Sequence, residues 1–218
     1  MNPKFARAMI EYALKNSFPF LLKNALRNFQ VQGFNSILLH KSEDLVLRLY
    51  VCEPGKSHLG NSLDQNDNVL WIHNHRFLFD SEVLVGWMAN LLYSESAEPT
   101  EAGQWFKYGY KSALTANDGR MHLAEEGQVN LSLDSVQYVH EGDFYEMKPE
   151  ALHKILVPED QLVVMLFWER TKVQIDQKLY SRYALPESPD TAGTNQRFEE
   201  EDLRRILKVA IDALRERE

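Results

Sequence analysis

Residues Val69–Gly86 read VLWIHNHRFLFDSEVLVG, and this stretch decides how the rest of the chain is read. It is rich in Val, Ile, Leu, Phe and Trp, the composition of a β-strand. At its centre stands His73-Asn74-His75. On a strand, residues two apart share a face, so the two imidazoles emerge side by side, with Val69 and Trp71 continuing that face. Two neutral imidazoles at this spacing suit Zn, Fe, Ni, Mn or Cu. By itself the spacing is weak evidence and more often marks a satisfied polar pair at a strand end. A metal would need a third ligand from elsewhere in the chain.

A second stretch, Gly142–His153 (GDFYEMKPEALH), supplies one. Gly142-Asp143 marks a turn, Phe144 to Met147 reads as a short strand, and Pro149 ends it before His153. Together the two stretches resemble the paired motifs of the cupin superfamily over roughly residues 44 to 170. The first family motif has His-x-His, a glutamate, then a glycine, and here His73, His75 and Gly86 match it. The second opens on Gly and places a metal-binding His eleven positions on, which Gly142 and His153 match. The fit slips where Pro149 is one place late, an inner Gly is missing, and Val157 stands for the closing Asn. With Gly86 as anchor, the glutamate position falls on Phe79. The resemblance therefore implies a three-histidine site, His73, His75 and His153, similar to the thiol dioxygenase branch of cupins. Asp80 remains open as a fourth ligand, whereas Glu82 reads as a solvent-facing charge.

Composition agrees with one well-packed domain. The chain has 218 residues, 44% of them hydrophobic and 11% aromatic. Its formal net charge is −8, with 32 acids against 24 Lys plus Arg, and no basic block, so nucleic-acid binding is not expected. Cys52 is the only cysteine, which rules out an intrachain disulfide and permits a reducing compartment. The N-terminal stretch intersperses charges among its apolar residues, unlike a signal peptide, and no apolar run is long enough to span a bilayer. These features predict a cytoplasmic protein without membrane association.

Elsewhere the pattern is of short strands between helices. Residues 3–16 and 18–29 carry apolar residues at helical spacing, and Phe198–Glu218 forms a third helix with Leu203, Ile206, Leu207, Ala210 and Leu214 on one stripe. These helices are expected to pack on a sheet, with a lid or homodimer contact as the alternative. Strands are predicted at Ser36–His40 and Asp44–Glu53, in the second of which Leu45, Leu47, Leu49 and Val51 share one face and Val46, Arg48, Tyr50 and Cys52 the other. The polar face lines a cavity or meets solvent. Residues 54–68 read as a surface connection, with His58 reaching the site as the alternative. Further strands are predicted over 87–93, 104–112, 128–133, 136–140 and 154–157. Leu162–Trp168 is a continuous apolar run of strand length, to be buried on both faces, and Thr171–Arg182 adds a strand. His122 reads as a surface group. The resulting eight to ten strands fit a mainly β double-sheet jelly roll, the cupin architecture. Helices over 1–32 precede a barrel over 36–183, and a helix over 197–218 follows it. The long inter-motif segment 87–141 is where specificity is expected to be set.

What the resemblance implies about function is a metal cupin enzyme. The leading expectation is a mononuclear non-haem iron dioxygenase. Fe(II) is the expected metal, with Zn, Ni or Mn as alternatives. A neutral three-histidine set leaves the metal's charge uncompensated, which favours a small carboxylate-bearing substrate. Arg48 or Arg76 would hold that carboxylate, and Tyr50, Tyr138 or His140 would serve proton transfer. The alternatives are a non-redox isomerase, epimerase or lyase, and a binding or sensory cupin without turnover.

Overall fold

The computed structural model describes residues 2–29, 33–55, 72–101, 103–110, 123–172, 175–182 and 196–218. His58, Val69, Trp71, His122, a turn expected from the residue types over 116–119 and a linker-like loop expected over 185–195 lie outside the described residues. Three helices are seen: α1 (Pro3–Asn16), α2 (Phe18–Asn24) and α3 (Glu200–Arg215). The strands are β1 (Leu26–Arg27), β2 (Phe34–Lys41), β3 (Val46–Cys52), β4 (Ile72–His73), β5 (Phe77–Val85), β6 (Trp87–Ser96) and β7 (Gln104–Tyr110). They continue with β8 (Leu123–His140), β9 (Phe144–Met147), β10 (Leu152–Leu156), β11 (Val163–Lys172), β12 (Lys178–Ser181) and β13 (Gln196–Arg197). One sheet runs β13-β1-β2-β3-β11-β5-β9. The other runs β10-β4-β12-β7-β8-β6 and closes where β6 pairs with β10. The pairings among these strands are antiparallel.

Alternation along β3 sets the layers. Leu47, Leu49 and Val51 pack beneath the helices, in one core with Ile10 of α1 and Leu203, Ile206, Leu207 and Leu214 of α3. Tyr50 and Cys52 point the other way, into a core between the sheets with Phe79, Met88, Val139, Tyr145 and Phe167. The polar face of this strand is thus interior. Each large apolar side chain removed from water in either core contributes about 1.5–3 kcal/mol. The unbroken apolar run in β11 follows from its position: it pairs with β3 on one edge and β5 on the other, and has a core on each face.

The helix ends follow local rules. Asn2 Oδ1 accepts a hydrogen bond from the Lys4 backbone N–H, and Pro3 fills the first turn of α1. Acids occupy the first turn of α3 and Arg215 its last, each complementing the helix dipole. The second helix is shorter than its apolar stripe predicts. It stops at Asn24, because Leu26 and Arg27 pair instead with β13, and Leu26 with Ser36 of β2. The two strands predicted over 128–133 and 136–140 are one, β8, of 18 residues. The polar residues that suggested a break are absorbed by a bulge: Ser135 pairs with Leu92 and Leu133 with Tyr93, leaving Asp134 extra, its carboxylate accepting from Ser94 Oγ at 2.9 Å.

Both motif glycines sit at turns that need them. Gly86 has φ +79°, and a Cβ there would lie 2.5 Å from the Leu162 carbonyl oxygen. Gly142 has φ +85° and donates its N–H to Val83 O at 2.8 Å, which ties the opening of the second motif to the end of the first. No helix among the described residues is long and apolar enough to cross a membrane.

Candidate metal centre

The two halves of the site meet by strand pairing. His153 of β10 lies directly opposite His73 of β4. Just past β4 the chain is clamped on both sides. Asn74 Oδ1 accepts from the Lys178 N–H at 2.6 Å, Asn74 Nδ2 donates to Asp176 O at 3.2 Å, and the His75 N–H donates to Pro149 O at 3.0 Å. The residue between the histidines therefore fixes the segment to β12, while His75 is held by the turn that precedes β10.

The result is a cluster of His73, His75 and His153, whose ligating nitrogens all lie within 4.8 Å of one another. The ring of His73 lies 4.8 Å from that of His75 and 4.9 Å from that of His153. His75 Nε2 and His153 Nε2 are 2.8 Å apart. His73 and His153 are buried, and His75 keeps part of its surface open. Burial pushes the pKa of His75 well below its usual value, and the neighbouring His73 and His153 push it further. Burial, and then His73, do the same to His153. Both rings are therefore neutral near pH 7, the form in which imidazole ligates a metal.

Asn90 orients the third ligand. Its Oδ1 lies 3.1 Å from His153 Nδ1, which puts the ring proton on Nδ1 and leaves the Nε2 lone pair facing His75. Three neutral nitrogen donors, one fixed in its tautomer from behind, suit a divalent first-row metal. Phe79 covers the side where the family's glutamate would stand, its ring 4.7 Å from His75 and 6.2 Å from His153. Phe77 lies 5.5 Å from His75, and Phe167 lies 4.5 Å from Phe79. The wall of the site is thus aromatic, and among the described residues no carboxylate joins the three histidines.

Asp80 does not serve as a fourth ligand. It follows Phe79 on β5 and so faces the opposite side of the sheet, where it pairs with Arg170. Glu82 shares that side and is buried, 3% exposed, rather than solvent-facing. Tyr50 is interior but remote in contact. It stacks on Phe34 at 4.8 Å and meets Phe167 edge-on at 5.5 Å, so Phe167 and Phe79 intervene between it and His75. Burial pushes its hydroxyl up to about 12, which keeps it a proton donor. Arg48 also faces inward, paired with Glu169 (Nε–Oε1 3.4 Å) and near Ser36 Oγ (3.4 Å), not with Asp80. His140 and Tyr138 are exposed on the outer face of β8 beside Trp87, because Val139 between them takes the interior. The structure does not bring His140 to the histidine cluster. Arg76 is half-buried and lines a cavity with Tyr110 and Gln177.

Asn74 and Asn90 were not singled out by their sequence. The signal was present at Asn90, an amide within the apolar run WMANLLY, where strands rarely carry Asn.

No protein-family model matches the sequence, and no curated protein does. Solved structures similar to the chain include a cupin-2 domain from Rhodospirillum rubrum, with 11% identity, 88% of each chain covered and a TM-score of 0.38. An RmlC-like cupin from Shewanella frigidimarina shares 11% identity over 64% of this chain and 78% of that one, with a TM-score of 0.34. A DMSP lyase shares 12% identity over 66% of this chain and 51% of that one, with a TM-score of 0.34. The chain thus spans about half the length of that lyase. Likeness at these values carries no chemistry. Two antiparallel sheets between terminal helices, with His73, His75 and His153 converging where the two motifs place them, give this chain a cupin-like jelly-roll fold.

Proposed function

We propose that the chain is a metal-dependent enzyme acting on a small anionic metabolite, a mononuclear non-haem iron dioxygenase or oxygenase. The observation that carries this reading is the three-histidine cluster with Phe79 where a fourth, anionic ligand would stand. His73, His75 and His153 would hold the metal. Iron(II) so held supplies open coordination positions and reducing electrons for O₂ chemistry. The protein's own part is to fix the tautomer of His153 through Asn90, and to exclude water with Phe77, Phe79 and Phe167. The alternative is a non-redox isomerase, epimerase or lyase in which the same three histidines would hold a metal acting as a Lewis acid.

The test is metal analysis of protein purified without chelator, followed by O₂ uptake on a panel of small thiols and carboxylates. Stoichiometric iron with substrate-dependent O₂ loss is the expected result. Bound zinc or manganese without O₂ loss would favour Lewis-acid chemistry. Absence of bound metal, with no uptake on adding iron(II), would favour a binding protein. His73→Ala should lose the metal while its circular-dichroism spectrum stays that of the parent.

A further inference from the structure

We propose that the outer face of α1 and α2 docks the protein on an anionic lipid surface, with Phe5, Tyr12 and Phe20 entering the headgroup layer and Lys4, Lys15 and Lys23 meeting the lipid phosphates and carboxylates. The proposal is independent of the metal centre, because α1 packs on the far side of the first sheet, in the core that Leu47, Leu49 and Val51 share with the helices.

The total charge, read above against membrane association, conceals an uneven distribution. Residues 1–29 hold five of the 24 Lys and Arg but one of the 32 acids, a net charge of +4 in a chain of −8, which leaves −12 for the remainder. Part of that positive charge is already matched. Arg7 is bound by Glu11 and Glu218, and Arg27 by Asp202. Glu11 is shared between Arg7 and Arg215. Lys4, Lys15 and Lys23 are exposed and make no ion pair among the described residues, although Lys4 acts on Glu218 at longer range.

Periodicity sets these lysines among exposed rings. The buried side of α1 is Ala6, Ile10 and Ala13. At about 3.6 residues per turn, Lys4, Phe5, Ala8, Tyr12 and Lys15 fall within an arc of about 100° on the opposite side. Phe5 is 61% exposed and Tyr12 68%. After Ser17 alone, α2 buries Phe18 and Leu21 and leaves Pro19, Phe20 and Lys23 outside, Phe20 at 38%.

Aromatic rings interleaved with lysines are what an interfacial helix presents to an anionic bilayer. The rings bury their apolar bodies at headgroup level, while the lysine stems lie along apolar surface and keep their charges among the phosphates. The face is the convex side of two helices, which a flat lipid surface can meet along its length. A second copy of the chain fits it less well. A two-fold contact would set the same lysines against each other. A contact with the acidic remainder would join unlike surfaces and would not close into a dimer.

Co-sedimentation with vesicles of phosphatidylcholine, alone or mixed with phosphatidylserine, tests this, with circular dichroism and metal content as controls on every variant. The protein should bind the vesicles that contain phosphatidylserine and not the others, and rising salt should release it. Replacing the three lysines together (Lys4→Gln, Lys15→Gln, Lys23→Gln) should weaken binding about a hundredfold. The pair Phe5→Ser, Tyr12→Ser should weaken it at least about tenfold and keep the salt dependence. No binding to phosphatidylserine vesicles would overturn the proposal. So would a folded aromatic variant that binds like the parent, since charge alone would then hold the protein. A vesicle-free dimer that Phe5→Ser, Tyr12→Ser converts to monomer would assign the face to a second copy instead. Binding to soluble polyglutamate as tight as to the vesicles would assign it to an acidic protein, and either result would also overturn the proposal.

Discussion

Replacing Asn90 by leucine should weaken metal binding while leaving the fold close to its original stability. Asn90 and His153 are both fully buried, and the Oδ1–Nδ1 contact at 3.1 Å holds the His153 proton on Nδ1. With that acceptor gone, His153 no longer gains by holding its proton on Nδ1, and the proton can shift to Nε2, which faces His75 Nε2 at 2.8 Å. A metal must then reverse that tautomer and leave an Nδ1–H without a partner in the interior. Loss of such a partner behind a metal-bound histidine lowers affinity about 10–100-fold. That corresponds to about 1.4–2.7 kcal/mol. Stability of the metal-free protein responds differently. A buried group without a hydrogen bond costs about 1–3 kcal/mol. Asn90→Leu creates one such group, the Nδ1 lone pair, and removes another, because Asn90 Nδ2 is buried and makes no well-formed hydrogen bond, although Asn90 acts on the Tyr145 hydroxyl. The two changes are of like size and opposite sign, so the melting temperature of the chelated protein should move by only a few degrees. Competition with a chromogenic chelator gives the metal affinity, and thermal denaturation of the metal-free variant gives the stability. Asn90→Asp, which keeps the acceptor, should retain affinity. A leucine variant that binds metal as tightly as the parent would show that Asn90 does not position the ligand.

Three further outcomes follow from named geometry. Gly86→Ala forces a Cβ to within 2.5 Å of the Leu162 carbonyl and places alanine at φ +79°. Backbone strain of about 1–2 kcal/mol and overpacking of about 1–3 kcal/mol should lower the melting temperature by several degrees, and a melt matching the parent would contradict the turn. The metal-free protein should lose stability as the pH falls below about 6.5, the unfolded histidine value. His75 and His153 have folded pKa values depressed below that point, so the unfolded chain takes up protons that the folded rings refuse. Urea midpoints of chelated protein at pH about 7.5 and about 5.5 measure this, and equal midpoints would contradict the depression. Arg48→Met should destabilise the fold by about 1–3 kcal/mol by stranding Glu169, whose side chain is 14% exposed, without altering metal content. Metal analysis and a urea titration of the same preparation decide it.

Legibility along the chain followed periodicity. The α3 stripe, the two faces of β3 and the doubly buried β11 could be read because each is a repeat of 3.6 or 2 against a core. The histidine cluster could be read because His73, His75 and His153 carry it in two short stretches anchored by glycines whose positive φ the turns require. What escaped were features set by pairing partners. Asp134 and Ser135 look like a strand break, and only the register of β6 against β8 turns Asp134 into a bulge. Leu26 and Arg27 carry helical spacing, yet β2 and β13 claim them. His140 looked like a candidate acid, but which face of β8 is interior is decided by Val139 packing with Met88, at a distance along the chain that local pattern does not report.

The same alternation explains how one substitution separates this site from the four-ligand pattern it resembles. Residue 79 stands on the interior face of β5, with Ser81 and Val83 following it; Asp80 beside it is committed to Arg170 on the opposite face, and Phe77, two residues before it, to the wall beside His75. No shift by one residue can bring Asp80 inward without turning Leu84 out of the core beneath the helices and Val83 out of the core between the sheets. The carboxylate next in sequence is therefore barred from the metal by the packing of the whole strand. Phenylalanine at 79 then does two things at once. It leaves the donor set neutral, and with Phe77 and Phe167 it dries the surroundings of the histidines. In such surroundings an uncompensated cation attracts an anion far more strongly than it would in water. Under the proposed function, the charge that a fourth ligand would have provided would fall to an anionic substrate.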